Sequence, residues 1–362
     1  AGTGWFQVQR LFADRLHRQH WCCTDCFTVR WTRVCVDWEC LHLDIRFSGV
    51  CLRVPRFRTT SFFCAAIELY LCILPKPPIV DIAIAISWTV TVSIGAEIIG
   101  KNIFDNLTTT VCDKIYETLI EHKVIFFRDH PLSSEQHIAL AEKFGPLETH
   151  AYVQGLDDHP EIVRIVKGEE EKNQWGENWH SDVSYNTKPT KAVILKSIKI
   201  PPVGGDTCFS NMELAWETLD EKIKDKIKDK KAVHTSLGAE FFIDDYKYMQ
   251  GNKKRNYDEY ENEHPIVRTH PETGKKILFV NWTYTKKIIG LEKKESDEIL
   301  EKIFEHQARL DLTCRFRWTE NAVAIWDNRS VQHYAISDFF PGRGLGYERI
   351  MDRIAIEGDR PN

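Results

Sequence analysis

The segment ENWHSDVSY, residues 177–185, places an imidazole and a carboxylate two residues apart among aromatic and β-branched side chains. The neighbouring Trp179, Val183 and Tyr185 predict a partly buried strand. His180 and Asp182 would then project from the same face, because side chains alternate along a strand. A buried carboxylate is costly without a cation, and one divalent metal would satisfy both groups. The pattern His-x-Asp also arises often by chance, so a metal site needs further ligands to support it.

A third ligand is available much further along the chain. His333 lies in AIWDNRSVQHYA, at the predicted start of a strand that follows a tight Asp-Asn turn. Taken alone, His333 is better explained as a buried histidine of the core. Together with His180 and Asp182, however, it completes the two-histidine, one-carboxylate triad of non-haem Fe(II) oxygenases, which leaves coordination positions open for a co-substrate and O₂.

Two arginines and a threonine add groups that could bind anions. Arg349 and Arg353 lie in ERIMDRIAI, within an apolar predicted strand, and a guanidinium in such a place usually binds an anion in a bidentate manner. The alternative is a structural ion pair with Asp352 or Glu348. Thr207 ends the sequence GGDT, where its hydroxyl could bind a ligand or simply belong to a loop.

The elements that must position these residues predict an α+β fold. Helical spacing of apolar residues predicts helices over 108–122 and 296–310, and a capping box predicts a helix that starts at Ser133. Short β-branched or apolar runs predict several strands, which are separated by long insertions. The sequence contains neither a glycine-rich dinucleotide loop nor a P-loop.

Composition narrows the class of partner. The chain has 362 residues, 43% hydrophobic and 28% charged, with a net charge of −5. These values are ordinary for a globular protein and predict neither nucleic acid nor a membrane as partner. We expect a cytoplasmic protein, and the sequence leaves a homo-oligomer open.

The first part of the chain differs from the rest. Residues 1–75 contain no lysine, nine arginines and eight of the eleven cysteines. Three interpretations remain open: a zinc module, a disulfide-rich secreted segment, or a non-native segment such as translated non-coding sequence, which we favour. The zinc ligands would come from Cys23, Cys26, Cys35, Cys40, His17, His20 and His42. We therefore divide the chain into an unassigned segment, 1–80, and a catalytic domain, 81–362.

The body of the chain resembles the taurine/α-ketoglutarate dioxygenase family, the TauD/TfdA group. The resemblance covers residues 88–362 in family order. It rests on NWHSDVSY, VGGDTCFSNMELAWETL, HPIVRTHPETGKKILFVN, VAIWDNRSVQHYAISDF and RIMDRIAIEGDRP.

The resemblance implies a double-stranded β-helix, or jelly-roll, core with flanking helices and long insertions. It implies Fe(II) bound by His180, Asp182 and His333, and 2-oxoglutarate held by Thr207 and Arg349. With O₂, 2-oxoglutarate would become succinate and CO₂ while a small substrate is hydroxylated. Because related halogenases lack the carboxylate ligand, halogenation is disfavoured here.

The same resemblance points to a small anionic substrate. It implies substrate contacts from His150, Arg353 and Tyr284, and an alkyl sulfonate or alkyl sulfate as the substrate. Gly176 stands where the taurine-binding members have an asparagine, which argues against taurine itself. The alternatives are a carboxylate substrate, such as an aryloxyacetate, and a jelly-roll binding protein without catalysis.

Overall fold

The structure is a computed structural model that separates into two units, Ala1–Asp81 and Ile82–Asn362. In the second unit it describes residues 87–91, 93–100, 103–150, 153–169, 176–236, 260–339 and 346–362, with only the backbone for 87–89. In the first unit it describes the backbone of four strands. These strands are β1 (Cys22–Cys23), β2 (Phe27–Val34), β3 (Leu41–Phe47) and β4 (Val50–Arg53).

The four strands of the first unit form one antiparallel sheet in the order β1-β2-β3-β4. The side chains of the cysteines and histidines that could bind zinc lie outside the described residues. The zinc module, the disulfide-rich segment and the non-native segment therefore all stay predictions.

Five α-helices are described in the second unit. They are α1 (Thr109–His122), α2 (Ser134–Glu142), α3 (Met212–Thr218), α4 (Glu221–Ile227) and α5 (Lys293–Gln307). The predicted capping box is confirmed: the Gln136 amide donates to the Ser133 hydroxyl at 3.1 Å, and the Ser133 amide donates to the Gln136 side chain at 2.9 Å. Within the described residues, no helix combines the length and the hydrophobicity that crossing a membrane requires.

Eight strands form the largest sheet, called here the main sheet. Their order is β5-β6-β7-β18-β10-β20-β8, with β9 also paired to β20. All neighbours are antiparallel except β6 and β7. Their bounds are β5 (Ser87–Thr89), β6 (Ala96–Ile98), β7 (Val124–Phe127), β8 (Leu147–Glu148), β9 (Val163–Lys167), β10 (Ala192–Lys199), β18 (Val323–Asp327) and β20 (Arg349–Ile356).

Three smaller sheets complete the described β-structure of this unit. The one nearest the site, called the minor sheet, has the order β17-β11-β19 and consists of β11 (Thr207–Asn211), β17 (Thr313–Phe316) and β19 (Val331–Ala335). The second sheet consists of β12 (Lys231–Thr235), β13 (Glu261–Pro265) and β16 (Thr285–Ile288). The third pairs β14 (Val267–Thr269) with β15 (Lys276–Leu278).

Alternation along the strands builds two cores on opposite faces of the main sheet. On β10, Ala192 and Ile194 pack in the cluster that also contains residues of α1 and α2. Val193 and Leu195 pack in the other cluster, together with Phe209 of the minor sheet. The main sheet is therefore covered by helices on one face and by the minor sheet on the other, as the two faces of a buried strand require.

Candidate active site

The two predicted arginines lie on one face of β20. Arg349, Met351 and Arg353 alternate with residues that face the helices, and Met351 belongs to the core shared with the minor sheet. Asp352 points to the opposite face, where Arg164 binds its carboxylate through two nitrogens at 2.7 and 3.0 Å. The strand geometry therefore rules out Asp352 as the partner of either arginine.

The two histidines are held together through their backbones. His333 lies on β19, and it exchanges two hydrogen bonds with His180: the His180 amide donates to the His333 carbonyl at 3.1 Å, and the reverse bond is 2.9 Å. Residues paired in this way project to the same side of the ladder. Their ring centroids are accordingly 4.1 Å apart.

The expectation that residues 177–185 form a strand is wrong. His180 makes only an isolated bridge, and the chain then enters a turn that starts at Asp182, with Val183 at a φ of 44°. The cause is Asn328, a fully buried side chain that accepts from the Asp182 amide at 2.8 Å and donates to the Asp182 carbonyl at 3.1 Å. These bonds replace the ladder partners that would have continued a strand.

The turn nevertheless brings the carboxylate to the histidines. Oδ1 of Asp182 lies 3.4 Å from Nε2 of His180 and 3.8 Å from Nε2 of His333. One ligand atom from each of the three residues lies within 4.8 Å of the other two. Two imidazole nitrogens and one carboxylate oxygen are the donor set that suits non-haem iron, and all three side chains are buried.

The protonation states also suit a metal. Nδ1 of His180 must carry its proton, because it lies 2.7 Å from the Asn178 carbonyl, which can only accept; Nε2 is then free to act as a ligand. Burial and the neighbouring His180 lower the pKa of His333 to about 3. Burial would raise the pKa of Asp182, but Arg353 and the two imidazoles lower it well below its usual range.

Arg353 binds the carboxylate oxygen that faces away from the histidines. Its Nη2 donates to Oδ2 of Asp182 at 3.0 Å, which leaves Oδ1 for the triad. Burial lowers the pKa of Arg353, but Asp182 and Glu148 raise it more. The alternative of an ion pair with Asp352 or Glu348 is therefore wrong for Arg353, whose partner is a residue of the triad.

Arg349 has no such partner. It is 5% exposed, its Nε has no hydrogen-bond partner, and its guanidinium forms no ion pair with any residue in the described ranges. The neighbouring Glu348 binds Lys199 instead, and Asp206, the carboxylate that influences Arg349, binds Arg315. Burial lowers the pKa of Arg349 to about 10, because its charge is removed from water without full compensation.

Thr207 is not a loop residue. It starts β11, pairs with Ala335 and Phe316 on its two sides, and is 3% exposed. Its hydroxyl oxygen accepts a hydrogen bond from Nε1 of Trp318 at 2.9 Å. Sequence reasoning missed Trp318, as it missed Asn328, because nothing in their local sequence marks them as parts of the site.

One cavity joins most of these residues. Its polar lining comes from the triad, the two arginines and Thr207, and its apolar lining comes from Ile165, Gly176, Leu195, Trp326 and Ala335. Gly176 has a φ of 84°, and an added Cβ would lie 3.3 Å from Cε1 of His180. Because glycine has no Cβ, Gly176 keeps the space beside the His180 imidazole open.

His150 and Tyr284 lie close to the site without being part of this lining. His150 is buried, accepts from the Val153 amide at 3.2 Å, and has a pKa lowered to about 3 by burial and by Arg353. Tyr284 packs edge-on against His180, with ring centroids 6.2 Å apart, and also influences Arg353. A substrate contact from either residue stays a prediction.

Comparison with known proteins agrees with this geometry. The family model described as "Taurine catabolism dioxygenase TauD, TfdA family" matches residues 89–354. An alkylsulfatase of Acinetobacter baylyi is 33% identical over 281 residues, which cover 74% of this chain and 83% of the relative. An alpha-ketoglutarate-dependent sulfate ester dioxygenase of Pseudomonas putida is 32% identical over 273 residues, covering 74% and 88%.

A solved structure is similar over the same region. The crystal structure of a taurine dioxygenase from Burkholderia xenovorans is 33% identical, has a TM-score of 0.63, and aligns with 76% of this chain and 91% of its own. The chain therefore belongs to the TauD, TfdA family, and it is a 2-oxoglutarate-dependent dioxygenase.

Proposed function

We propose that the chain is an Fe(II)- and 2-oxoglutarate-dependent dioxygenase that oxidises an alkyl sulfate ester or alkyl sulfonate. Sulfate ester and taurine dioxygenases among its relatives support this class of substrate. Hydroxylation of the carbon that carries the sulfate oxygen would give a product that expels sulfate and leaves an aldehyde. Succinate and CO₂ would be the other products.

The proposal includes a double-stranded β-helix as the scaffold. The main and minor sheets face each other across one apolar core, and nearly all their strands are antiparallel, as in a jelly roll. Helices α1 and α2 cover the outer face of the main sheet. The triad and the two arginines line the cavity between the two sheets.

Iron would be held by His180, Asp182 and His333. The donor set and the ionised Asp182 carboxylate fit this metal, and so do the distances within the triad. When bound, iron supplies the redox chemistry that couples the oxidation of 2-oxoglutarate to that of the substrate. The protein's own contribution is to keep Asp182 ionised through Arg353 and to orient the His180 ring through the Asn178 carbonyl.

The co-substrate would bind beside the triad. We assign its distal carboxylate to Arg349 and Thr207, which offer a buried guanidinium and a hydroxyl in the same cavity. An anion there would neutralise a buried charge that pairs with no carboxylate in the described part of the chain, so binding would recover part of the desolvation cost.

The sulfate or sulfonate group would bind at Arg353. This guanidinium has five N–H groups, and its contact with Asp182 uses Nη2, so other donors remain for an anion. His150 and Tyr284 lie near enough to contribute, since both interact electrostatically with Arg353. The anion would thereby hold the adjacent carbon close to the triad, which is what selective hydroxylation requires.

The observation that carries the proposal is the pair of buried arginines on one face of β20. They are four residues apart, or about 13 Å along a strand, and both line the cavity of the triad. Two separate guanidinium groups beside a candidate iron centre suit the binding of two anionic substrates at the same time.

Succinate formation tests the proposal. The full chain would be assayed with Fe(II), 2-oxoglutarate and O₂ against medium-chain alkyl sulfates, alkyl sulfonates, taurine and aryloxyacetates. We expect stimulation by a sulfate ester or a sulfonate, with sulfate or sulfite released in equal amount to succinate. Preference for an aryloxyacetate would overturn the substrate class while keeping the reaction.

The non-catalytic alternative would be supported by one combination of results: iron and 2-oxoglutarate bind, but no substrate stimulates succinate formation. The intact triad and the unpaired Arg349 argue against that alternative. The homo-oligomer and the cytoplasmic location stay predictions.

A further inference from the structure

We propose that Trp318 is a positioning residue for the co-substrate, which orients the Thr207 hydroxyl and supports the Arg349 guanidinium. This inference rests on the proposed function, because it assumes that Thr207 and Arg349 receive the carboxylate of 2-oxoglutarate. It assigns a role to an indole that touches both of those residues from within the core.

The contact with Thr207 has a defined direction. The Trp318 indole N–H can only donate, and it lies 2.9 Å from the Thr207 hydroxyl oxygen. The hydroxyl is therefore the acceptor in this bond, and its own hydrogen must point elsewhere. No hydrogen bond from that hydroxyl to a residue of the described ranges is present, and Thr207 lines the cavity. Its hydrogen is therefore available to a carboxylate.

The contact with Arg349 is made by the ring of the same indole. The guanidinium carbon lies 5.9 Å from the ring centroid, within the range of a cation–π interaction. Because Arg349 forms no ion pair with a carboxylate of the described residues, the ring face stabilises its charge, together with the more distant Asp206, before an anion arrives. Trp318 thus contacts both the Thr207 hydroxyl and the Arg349 guanidinium, which would bind the same carboxylate.

The position of Trp318 is itself well determined. It follows β17, whose last residue, Phe316, pairs with Thr207 across the minor sheet. Its ring packs edge-on against Phe316 with centroids 5.0 Å apart, and the residue is 5% exposed. An indole fixed in this way can restrict the rotation of the Thr207 hydroxyl, which orders the donor before the ligand binds.

The test compares Trp318→Phe, which keeps a ring and removes the N–H, with Trp216→Phe on α3 as the matched control. Calorimetric titration of the Fe(II)-loaded full chain with 2-oxoglutarate, without O₂, measures affinity apart from turnover. We expect Trp318→Phe to weaken binding by about five- to tenfold, the loss of one hydrogen bond, and Trp216→Phe to leave it unchanged. In the assay, KM for 2-oxoglutarate should rise while kcat changes little.

A double-mutant cycle separates this role from general packing. Thr207→Val should weaken binding about tenfold, and adding Trp318→Phe to it should cost much less than Trp318→Phe does alone, because the shared hydrogen bond is already gone. Additive losses would overturn the inference, as would an unchanged affinity in Trp318→Phe.

If Trp318→Phe unfolds at a much lower temperature, Trp318→His, which retains an N–H donor, should restore the affinity. A wild-type chain that loads Fe(II) but does not bind 2-oxoglutarate would refute the proposed function, and this inference with it.

Discussion

At the scale of single residues, the site depends on His180 and Asp182, two residues apart, and on the distant His333, whose ligand atoms lie within 4.8 Å of one another. Each imidazole has one nitrogen directed toward Asp182, and all three residues are buried. We therefore assign the chemistry to a compact metal centre rather than to separate acids and bases.

Replacing His333 by alanine should remove Fe(II) binding and succinate formation together. The loss follows because two remaining ligands cannot complete a facial triad. Iron content after dialysis and succinate yield measure the two effects. His122→Ala, at the end of α1, is the control and should leave both values unchanged. Retention of full activity by the His333 variant would disprove the ligand assignment.

Replacing Arg349 by methionine should separate binding from stability. Affinity for 2-oxoglutarate should fall by at least ~10-fold, because a charge-assisted contact is lost. The free energy of unfolding without ligand should rise by about 1 kcal/mol or more, because a buried charge that no described carboxylate pairs with is replaced by an apolar side chain. Calorimetric titration and denaturant unfolding measure both; a destabilised variant would contradict our account of Arg349.

At the scale of the elements, the carboxylate ligand is positioned by a turn that one buried amide side chain closes. Asn328, between β18 and β19, bonds the amide and carbonyl of Asp182 and also donates to the Thr190 carbonyl at 3.0 Å. The turn also contains Val183 at a φ of 44°, which a β-branched residue rarely adopts. The surrounding hydrogen bonds must stabilise that conformation.

Replacing Asn328 by leucine should destabilise the fold and weaken the metal site. Buried backbone groups of the Asp182 turn would lose their partners, at about 1–3 kcal/mol for each unsatisfied group. Denaturant unfolding and Fe(II) titration would measure the two effects, with Asn106→Ala, an exposed site, as the control. Unchanged iron affinity would mean that Asp182 does not need this turn.

The packing of α2 on the main sheet predicts a pH dependence. Burial lowers the pKa of His137 to about 3, while its Nε2–H donates to the Ile194 carbonyl at 3.1 Å. The unfolded imidazole takes up a proton below its ordinary pKa of 6.5, but the folded one does not until about pH 3. The unfolded state therefore binds more protons in this window, and stability falls as the pH falls through it.

The variant His137→Gln, which keeps a donor, should flatten that dependence. Between pH 6 and 4.5, the free energy of unfolding should fall less steeply in the variant, by up to about 1.4 kcal/mol per pH unit. Urea unfolding at several pH values measures the slopes. Other buried histidines titrate in the same direction, so only the difference between the two proteins reports on His137. Equal slopes would contradict the burial argument.

At the scale of the whole molecule, every residue of the candidate active site lies in the second unit, Ile82–Asn362. The family model also begins within it, at residue 89. A protein restricted to residues 82–362 should therefore keep its thermal unfolding temperature and its succinate yield. Loss of either would show that the first unit contributes to the enzyme, and stoichiometric zinc in the full chain would support the zinc interpretation of that unit.

The sequence predicted the elements that local rules control. The helices that became α1 and α2, the strand that contains His333 and the apolar strand that contains both arginines are all present. Apolar periodicity and capping decide such elements, because they depend on neighbours within a few residues. The segment 177–185 was predicted wrongly because its backbone partners, above all Asn328, come from a distant part of the chain.

The sequence by itself determined the chemistry that the site can perform, since the types and order of its histidines, carboxylate and arginines restrict the metal and the ligands. Only the tertiary structure decided which charges are paired. It joined Arg353 to Asp182, turned Asp352 to the opposite face of β20, and gave Arg349 no ion-pair partner among the described residues. It also placed the indole of Trp318 against Thr207. The reason is physical. Which charges pair depends on strand register and on the sheet face toward which each side chain projects, and long-range packing rather than any local pattern sets both.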